Sequence, residues 1–554
     1  MQLCLIEFSR PNNDTGLFLS ESFTNSVSNL PIEEIILFQP TEQSCQPLQE
    51  ELKRLFPDSI LRLETLEPIS TGTISSKIQQ QPWQLLRTIL SKLDYCQELL
   101  FVFGRGTGLH QHLMWLASEI RGSKGIYLDE PDVEINSIAN SQIEADITKA
   151  TLGAFAFLAA QEIIEKTQDK DGWVNSDDLA KSSGAISSGV NAATQIPLRE
   201  GYIVKKETTS GNTIYNLTIN GWPVALESYA QSRSKDSVKD LLVSFARLPE
   251  IQIQSGNNPK PLNFFSHFAP SQPFDGLVVV LQKYAEEVEG SHIMTLDAAC
   301  EFFVNTSFIG DLRGAKEILR QRCLFDSVKE KTHLVIINPN YNETFQLNFS
   351  KNLLSTLINF ESEHGQYCWN FDITSPMNPI KIAVSIFSNA SDAATSYILK
   401  SQGEPGAVII DVDRSRHPRH SHKLSVPNRF ALDAMKENHK DGYRNILVAL
   451  MLLEDVMNDS VTNRLPFDDT PETHFDGVTW KEIENFVEDL KSPYDLSKGT
   501  LTGSVTRMKE LIPKRLVLRH LPEEGPSKLR FKLTNEGYLV ASQLYAEIKK
   551  EGGV

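Results

Sequence analysis

"LLFVFGRGTGLHQHLMWLASEI", residues 99–120, decides how the N-terminal part of this chain is read. Five apolar residues run straight into Gly104-Arg105-Gly106-Thr107-Gly108, and a helical pattern with a tryptophan follows. A buried strand that passes to a helix through three glycines lets a ligand, or another stretch of chain, come very close to the main chain. Around this stretch strand and helix patterns alternate. "LCLIEF" (Leu3–Phe8), "EEIILFQP" (Glu33–Pro40), "SILRLETL" and "ELLFVF" (Glu98–Phe103) read as strands, with "GIYLDE" (Gly125–Glu130) as the last. "PLQEELKRLFP" and "PWQLLRTILSKL" read as helices, the second opening at Pro82, a favoured first-turn residue. Strands apolar on both faces, set between helices, predict a parallel sheet covered on both sides over residues 1–148. Ligands of open α/β sheets sit at the carboxyl ends of the strands, which selects two loops, "SRPNNDTG" after the first strand and "GRGTG" after the fourth.

The glycine loop lacks the Gly-Lys-Ser/Thr ending of a P-loop, and it does not follow the first strand as a dinucleotide fingerprint does. A late G-x-G-T loop that opens a helix resembles the CRISPR-associated Rossmann-fold (CARF) sensor domains. That resemblance implies a cyclic oligoadenylate ligand. It also implies a pocket lined by Gly104, Arg105, Gly106, Thr107 and Gly108, with Ser9 and Arg10 from the first loop. Amides and Thr107 would hold phosphate oxygens there, and Arg105 would supply charge. The alternative is a tight strand–helix turn in a domain that binds nothing.

The chain has 554 residues, too many for one core, and its 40% hydrophobic and 23% charged residues are ordinary for a globular protein. Six cysteines lie scattered without metal-ligand spacing, which predicts reduced core residues in a cytoplasmic protein, with neither metal nor cofactor. No apolar run reaches membrane-span length and the N-terminus lacks a basic leader, so neither membrane nor export is expected. A net charge of −17 excludes a uniformly basic nucleic-acid coat and confines any DNA contact to local patches.

Residues 150–232 read as helix, helix-turn-helix and hairpin. "TLGAFAFLAAQEIIEKT" is the first helix. "WVNSDDLAKSSG" is capped by Asn175 or Ser176 and stopped by Gly184, and "AISSGVNAATQIPLREGY" follows. "YIVKKETTSGNTIYNLTING" turns at Ser210-Gly211-Asn212 as a hairpin. This order resembles winged helices of the MarR-like and archaeal transcription-factor type. By that resemblance Ser187, Ser188, Asn191, Thr194 and Gln195 read bases, while Arg199, Lys205 and Lys206 meet phosphates. Docking of proteins is the competing use of such a module.

Residues 470–554 repeat the order. "TGSVTRMKELIPKRLV" parallels "SSGVNAATQIPLREGYIV", and "KLRFKLTNEGYLVA" parallels "NTIYNLTINGWPVA". This copy is more basic, with Arg507, Lys509, Lys514 and Arg515 on or after the recognition helix and Lys528 and Arg530 on the hairpin; Thr502 and Ser504 are the base-reading candidates.

Between them, 235–340 reads as a further winged helix or an ordinary helical subdomain, with "GLVVVLQKYAEEVEG" as a helix and "FDSVKEKTHLVIINP" as the wing. Residues 345–465 return to a small α/β domain with strands "YCWNFDIT", "IKIAVSIFS" and "GAVIIDVD". Asp411 and Asp413, two apart on the last strand, share a face and suit a divalent cation, and the pattern looks like part of the archaeo-eukaryotic primase signature. The alternative is a solvated cationic loop, "RSRHPRHSHK", after a strand.

The expected fold is thus α/β plus α+β: an N-terminal Rossmann-like parallel sheet, two to three winged-helix domains and a central α/β domain. The expected function is a cytoplasmic, ligand-responsive, DNA-binding transcription regulator, a homodimer with no catalytic residues. A nuclease or primase-like enzyme using Asp411 and Asp413 is the alternative.

Overall fold

The computed structural model describes residues 1–6, 18–40, 45–66, 76–93, 98–128, 134–135, 146–161, 172–184, 187–233, 239–247, 276–282, 292–294, 332–337, 345–373, 378–391, 393–400, 407–411, 446–453, 477–489, 516–520, 530–533 and 535–551. The chain divides into two compact units. One is Met1–Gly106, Leu113–Ala139 and Asp413–Val554; the other is Thr107–His112 and Asn140–Val412.

In the first unit, β1 (Gln2–Ile6), β2 (Glu34–Gln39), β3 (Ile60–Thr65), β4 (Leu99–Phe103), β5 (Lys124–Tyr127) and β6 (Glu134–Ile135) form one sheet in the order β3-β2-β1-β4-β5-β6. The first five strands run parallel and β6 runs antiparallel to β5, so the N-terminal sheet is Rossmann-like. β1 and β4 are buried along their whole length, as strands apolar on both faces must be. α1 (Glu21–Val27) is capped by Ser20, whose hydroxyl accepts from the Phe23 amide. With α2 (Gln46–Leu55) it covers one face, where Phe23, Val27, Leu48 and Leu52 pack on Leu3, Leu5 and Leu37. Two expectations shift. The sheet continues past β5 into β6, and α3 (Ser76–Lys92) begins six residues before Pro82, which therefore lies inside the helix. The helix-tolerant run Ser76-Lys77-Ile78-Gln79-Gln80-Gln81 carries it upstream. α4 (Gly108–Ile120) follows β4.

The second unit opens with α5 (Asp146–Ala160), β7 (Val174–Asn175), α6 (Ser176–Ser183), α7 (Ser187–Ala193), α8 (Gln195–Arg199), β8 (Ile203–Glu207), β9 (Thr213–Leu217) and α9 (Gly221–Ser232). The strands form an antiparallel sheet ordered β7-β9-β8. Asn175 caps α6 by accepting from the amides of Asp177 and Asp178, and Gly184 ends it at φ 68°. Phe157 of α5 packs on Tyr229 of α9, ring centres 6.1 Å apart.

A second large sheet follows. β10 (Asp240–Arg247), β11 (Gly276–Gln282), β12 (His292–Met294), β13 (Thr332–Ile337), β14 (Cys368–Asp372), β15 (Ala394–Lys400) and β16 (Ala407–Asp411) lie in the order β12-β13-β11-β10-β14-β15-β16. β10, β11, β13, β14 and β15 are parallel; β12 and β16 are antiparallel edges. α10 (Phe345–His364) precedes β14 and α11 (Asn378–Ala390) follows it. This corrects the reading of residues 235–340 as a helical or winged-helix segment. "GLVVVLQ" is a parallel strand, and Thr332–Ile337, expected in a wing, pairs with it. Val278 and Val280 are buried, and pairing with β10 on one side and β13 on the other overrides any helical pattern. "IKIAVSIFS" is likewise helix, not strand. Ile380, Ile382, Ala383, Val384 and Phe387 are all buried, and a short buried apolar run cannot be assigned to helix or strand by periodicity.

Returning to the first unit, α12 (446–453), β17 (Val478–Thr479), α13 (Trp480–Asp489), β18 (Val517–His520), β19 (Arg530–Leu533) and α14 (Asn535–Glu551) follow, with the antiparallel order β17-β19-β18. Thr479 and Glu482 form a capping box at α13: the threonine hydroxyl accepts from the Glu482 amide, and the carboxylate accepts from the Thr479 amide at 2.6 Å. Among the described residues no helix is long and apolar enough to cross a membrane.

Candidate functional site

The connection from β4 to α4 lies where the chain order of the first sheet reverses, between β1 and β4, at the carboxyl ends of the strands. Gly104 has φ 129° and Gly106 φ 87°, conformations that side-chain-bearing residues rarely adopt. At Gly104 space is closed as well, because a Cβ would stand 3.0 Å from the Leu128 Cβ. The Leu128 amide donates to the Phe103 carbonyl at 2.7 Å, so β4 stays paired up to the turn. Two left-handed glycines thus lift the main chain off the sheet edge and start a 13-residue helix at once. Among the described residues, none accepts a hydrogen bond from the N–H groups of Gly106, Gly108 or Leu109. Oriented main-chain amides of this kind suit an anion.

The side chains of the loop are employed locally. Arg105 lies with its guanidinium 5.6 Å from the Phe18 ring centre and donates to the Phe18 carbonyl. Thr107 caps α4: its hydroxyl accepts from the His110 amide at 3.4 Å and lies 3.0 Å from His110 Nδ1, and its carbonyl accepts the first helical bond, from Gln111. His110 is 4% exposed. Burial, with a smaller push from the Lys381 cation, lowers its pKa to about 4, so the ring stays neutral at neutral pH. His112, also buried, places Nδ1 2.8 Å from Ser385 Oγ of α11. Sequence reasoning missed these partners. Thr107 at three residues before His110 is N-cap spacing and was legible, whereas nothing local marks Phe18 or Ser385. Ser9 and Arg10 lie outside the described residues.

The candidate DNA-contacting residues of the 146–232 module stand on α7, α8 and β8, with Thr194 between the two helices. Ser187 and Ser188 stand in the first turn of α7. Asn191 and Gln195 are exposed; Asn191 Oδ1 accepts from Tyr215 Oη at 3.0 Å and its carbonyl from Gln195 Nε2 at 3.2 Å. Thr194 is fully buried, with its hydroxyl on the Asn191 carbonyl, and does not face a base. Arg199 is exposed but paired with Glu200 at 2.8 Å. Lys205 and Lys206 are exposed on β8, and Lys206 Nζ lies 4.1 Å over the Trp173 ring. In the C-terminal module Thr502, Ser504, Arg507, Lys509, Lys514, Arg515 and Lys528 lie outside the described residues. Arg530, on β19, donates to the Gly477 carbonyl at 3.1 Å. Asp411 ends the antiparallel edge strand β16 opposite Ser396, and Asp413 lies outside the described residues.

No protein-family model matches this chain, and no curated protein does. Among solved structures, the chain is similar to a type III CRISPR defence DNA nuclease activated by cyclic oligoadenylate. Identity is 10% and the TM-score 0.29, over 94% of this chain and 83% of that one.

Proposed function

We propose that the chain is a ligand-responsive DNA-binding transcription regulator whose N-terminal sheet senses a cyclic oligoadenylate or a similar nucleotide. The observation that carries this reading is the turn at Gly104 and Gly106, which brings main-chain amides to the reversal point of an open parallel sheet. A phosphate is the ligand group that such amides favour. The two antiparallel modules, 146–232 and 470–554, are the winged helices. The helix order of 146–232, the three-stranded antiparallel sheet of both modules and exposed Lys205 and Lys206 support that use. To regulate, the ligand must bind one arrangement of the modules more tightly than another, because equal affinity shifts nothing.

Thermal melts with cyclic tri-, tetra- and hexa-adenylate test the sensor. One ring size present at a hundred times its Kd stabilises the protein by about 2.7 kcal/mol; no shift with any of them overturns it. DNA binding is tested separately by its salt dependence, and charge reversal at Arg507 and Lys509 abolishes it if the C-terminal module is the reader.

A further inference from the structure

Counted in order of appearance, the strands of the first sheet lie 3-2-1-4-5-6, the first five parallel and the sixth antiparallel. Leaving aside the short β12 at its edge, the second sheet has the same order: β13-β11-β10-β14-β15-β16 is 3-2-1-4-5-6, again with an antiparallel last strand. Each sheet is followed in the chain by a module whose described strands and last helix come in the same order. The sheets β7-β9-β8 and β17-β19-β18 match strand for strand. Both modules place a polar cap on the first strand, Asn175 before α6 and Thr479 before α13. Both carry Leu-Thr-x-x-Gly-aromatic into the last helix, at Leu217–Trp222 and Leu533–Tyr538. A Cβ at Gly221 would collide with the Tyr202 carbonyl, and one at Gly537 with the Leu516 carbonyl, each the residue before the first hairpin strand. That agreement in a backbone-to-backbone contact is independent of strand order.

The halves are also interlocked. The 146–232 module, from the first half of the sequence, shares its compact unit with the second sheet, and residues 413–554 share theirs with the first. Arg233 pairs with Glu361 and lies 3.7 Å over the Trp369 ring, and Trp369 Nε1 donates to the same carboxylate at 2.9 Å. Arg87 of α3 lies 4.2 Å over the ring of Tyr538. His112 and Ser385, in hydrogen-bond contact, stand on α4 and α11, the helices that follow the fourth strand of each sheet.

We infer that the chain is a fused pair, two copies of a sheet-plus-module unit with exchanged modules, and that one chain is the complete working assembly without a second copy. The expected homodimer is therefore replaced by two halves of one polypeptide. The halves are not equivalent: the second sheet has no glycine between β14 and α11, where the first has Gly104 and Gly106 between β4 and α4. Neither ligand nor DNA enters this arrangement, so its test is separate from that of the proposed function. In the 554-residue chain a protease site is inserted between Arg233 and Lys239, and sedimentation velocity is recorded at micromolar concentration before and after cutting. The fused pair gives the mass of one chain in both states, with the two fragments migrating together. A mass of two chains before cutting, or fragments that separate after it, overturns the inference.

Discussion

The guanidinium of Arg233, just past the end of α9, lies 3.7 Å above the indole of Trp369 on β14 and pairs with Glu361 of α10. Glu361 is the hub: it also accepts from the Tyr367 amide and from Trp369 Nε1, each at 2.9 Å. The two charged side chains are only 15% and 9% exposed. Removing one partner of such a pair leaves the other buried without compensation, at a cost of about 3–5 kcal/mol. Arg233→Ala is therefore expected to lower stability by that amount in urea unfolding. Arg233→Lys keeps the charge but loses the flat stacking on the ring, and it should fall between the two.

Gly221 and Gly537 give a paired prediction. Alanine at either position drives a methyl group into a main-chain carbonyl, which the hairpin cannot move without breaking its pairing. Each substitution should cost about 1–3 kcal/mol, read as a lower melting temperature. Gly189→Ala is the contrast: it lies within α7 with open space around it, so a gain of about 0.5–1 kcal/mol is expected.

What could be read from the sequence was what local pattern carries. The N-terminal sheet was legible because β1, β2 and β4 are short apolar runs bounded by turns, and the glycine turn because glycine marks φ > 0 directly. Asn175 and Gly184 fix both ends of α6 by capping chemistry alone. The second sheet was not legible. "GLVVVLQ" runs on into "KYAEEVEG" without a turn signal, and α11 is buried on every side from Ile380 to Ser388, so strand and helix exchanged places in the reading. The duplication stayed hidden for the same reason, since only its hairpin modules kept a shared sequence. In the candidate site Phe18 and Ser385 come from 87 and 273 residues away, beyond any spacing rule.

Gly106 tests the turn itself. Its φ of 87° makes a β-branched residue strained by about 1–3 kcal/mol. Gly106→Val is expected to lower the melting temperature and to remove any stabilisation by cyclic tetra-adenylate. Gly106→Asn, which tolerates the left-handed region better, should restore most of the stability. A valine variant with unchanged ligand response would show that the turn does not bind.

His110 sets a pH dependence whose sign follows from its burial. In the unfolded chain its imidazole titrates near 6.5, while in the folded protein burial first, and the Lys381 cation second, hold it down to about 4. Above 6.5 the ring is neutral in both states and contributes no pH dependence. As pH falls below 6.5 the unfolded chain takes up a proton that the folded protein refuses, so stability drops until pH 4. The full effect is about 3 kcal/mol. His110→Asn, which leaves a polar group beside Thr107 but no titrating ring, should flatten the stability profile between pH 6.5 and 4. Urea midpoints measured across that range check it. A wild-type slope that the variant retains would assign the acid sensitivity to other groups.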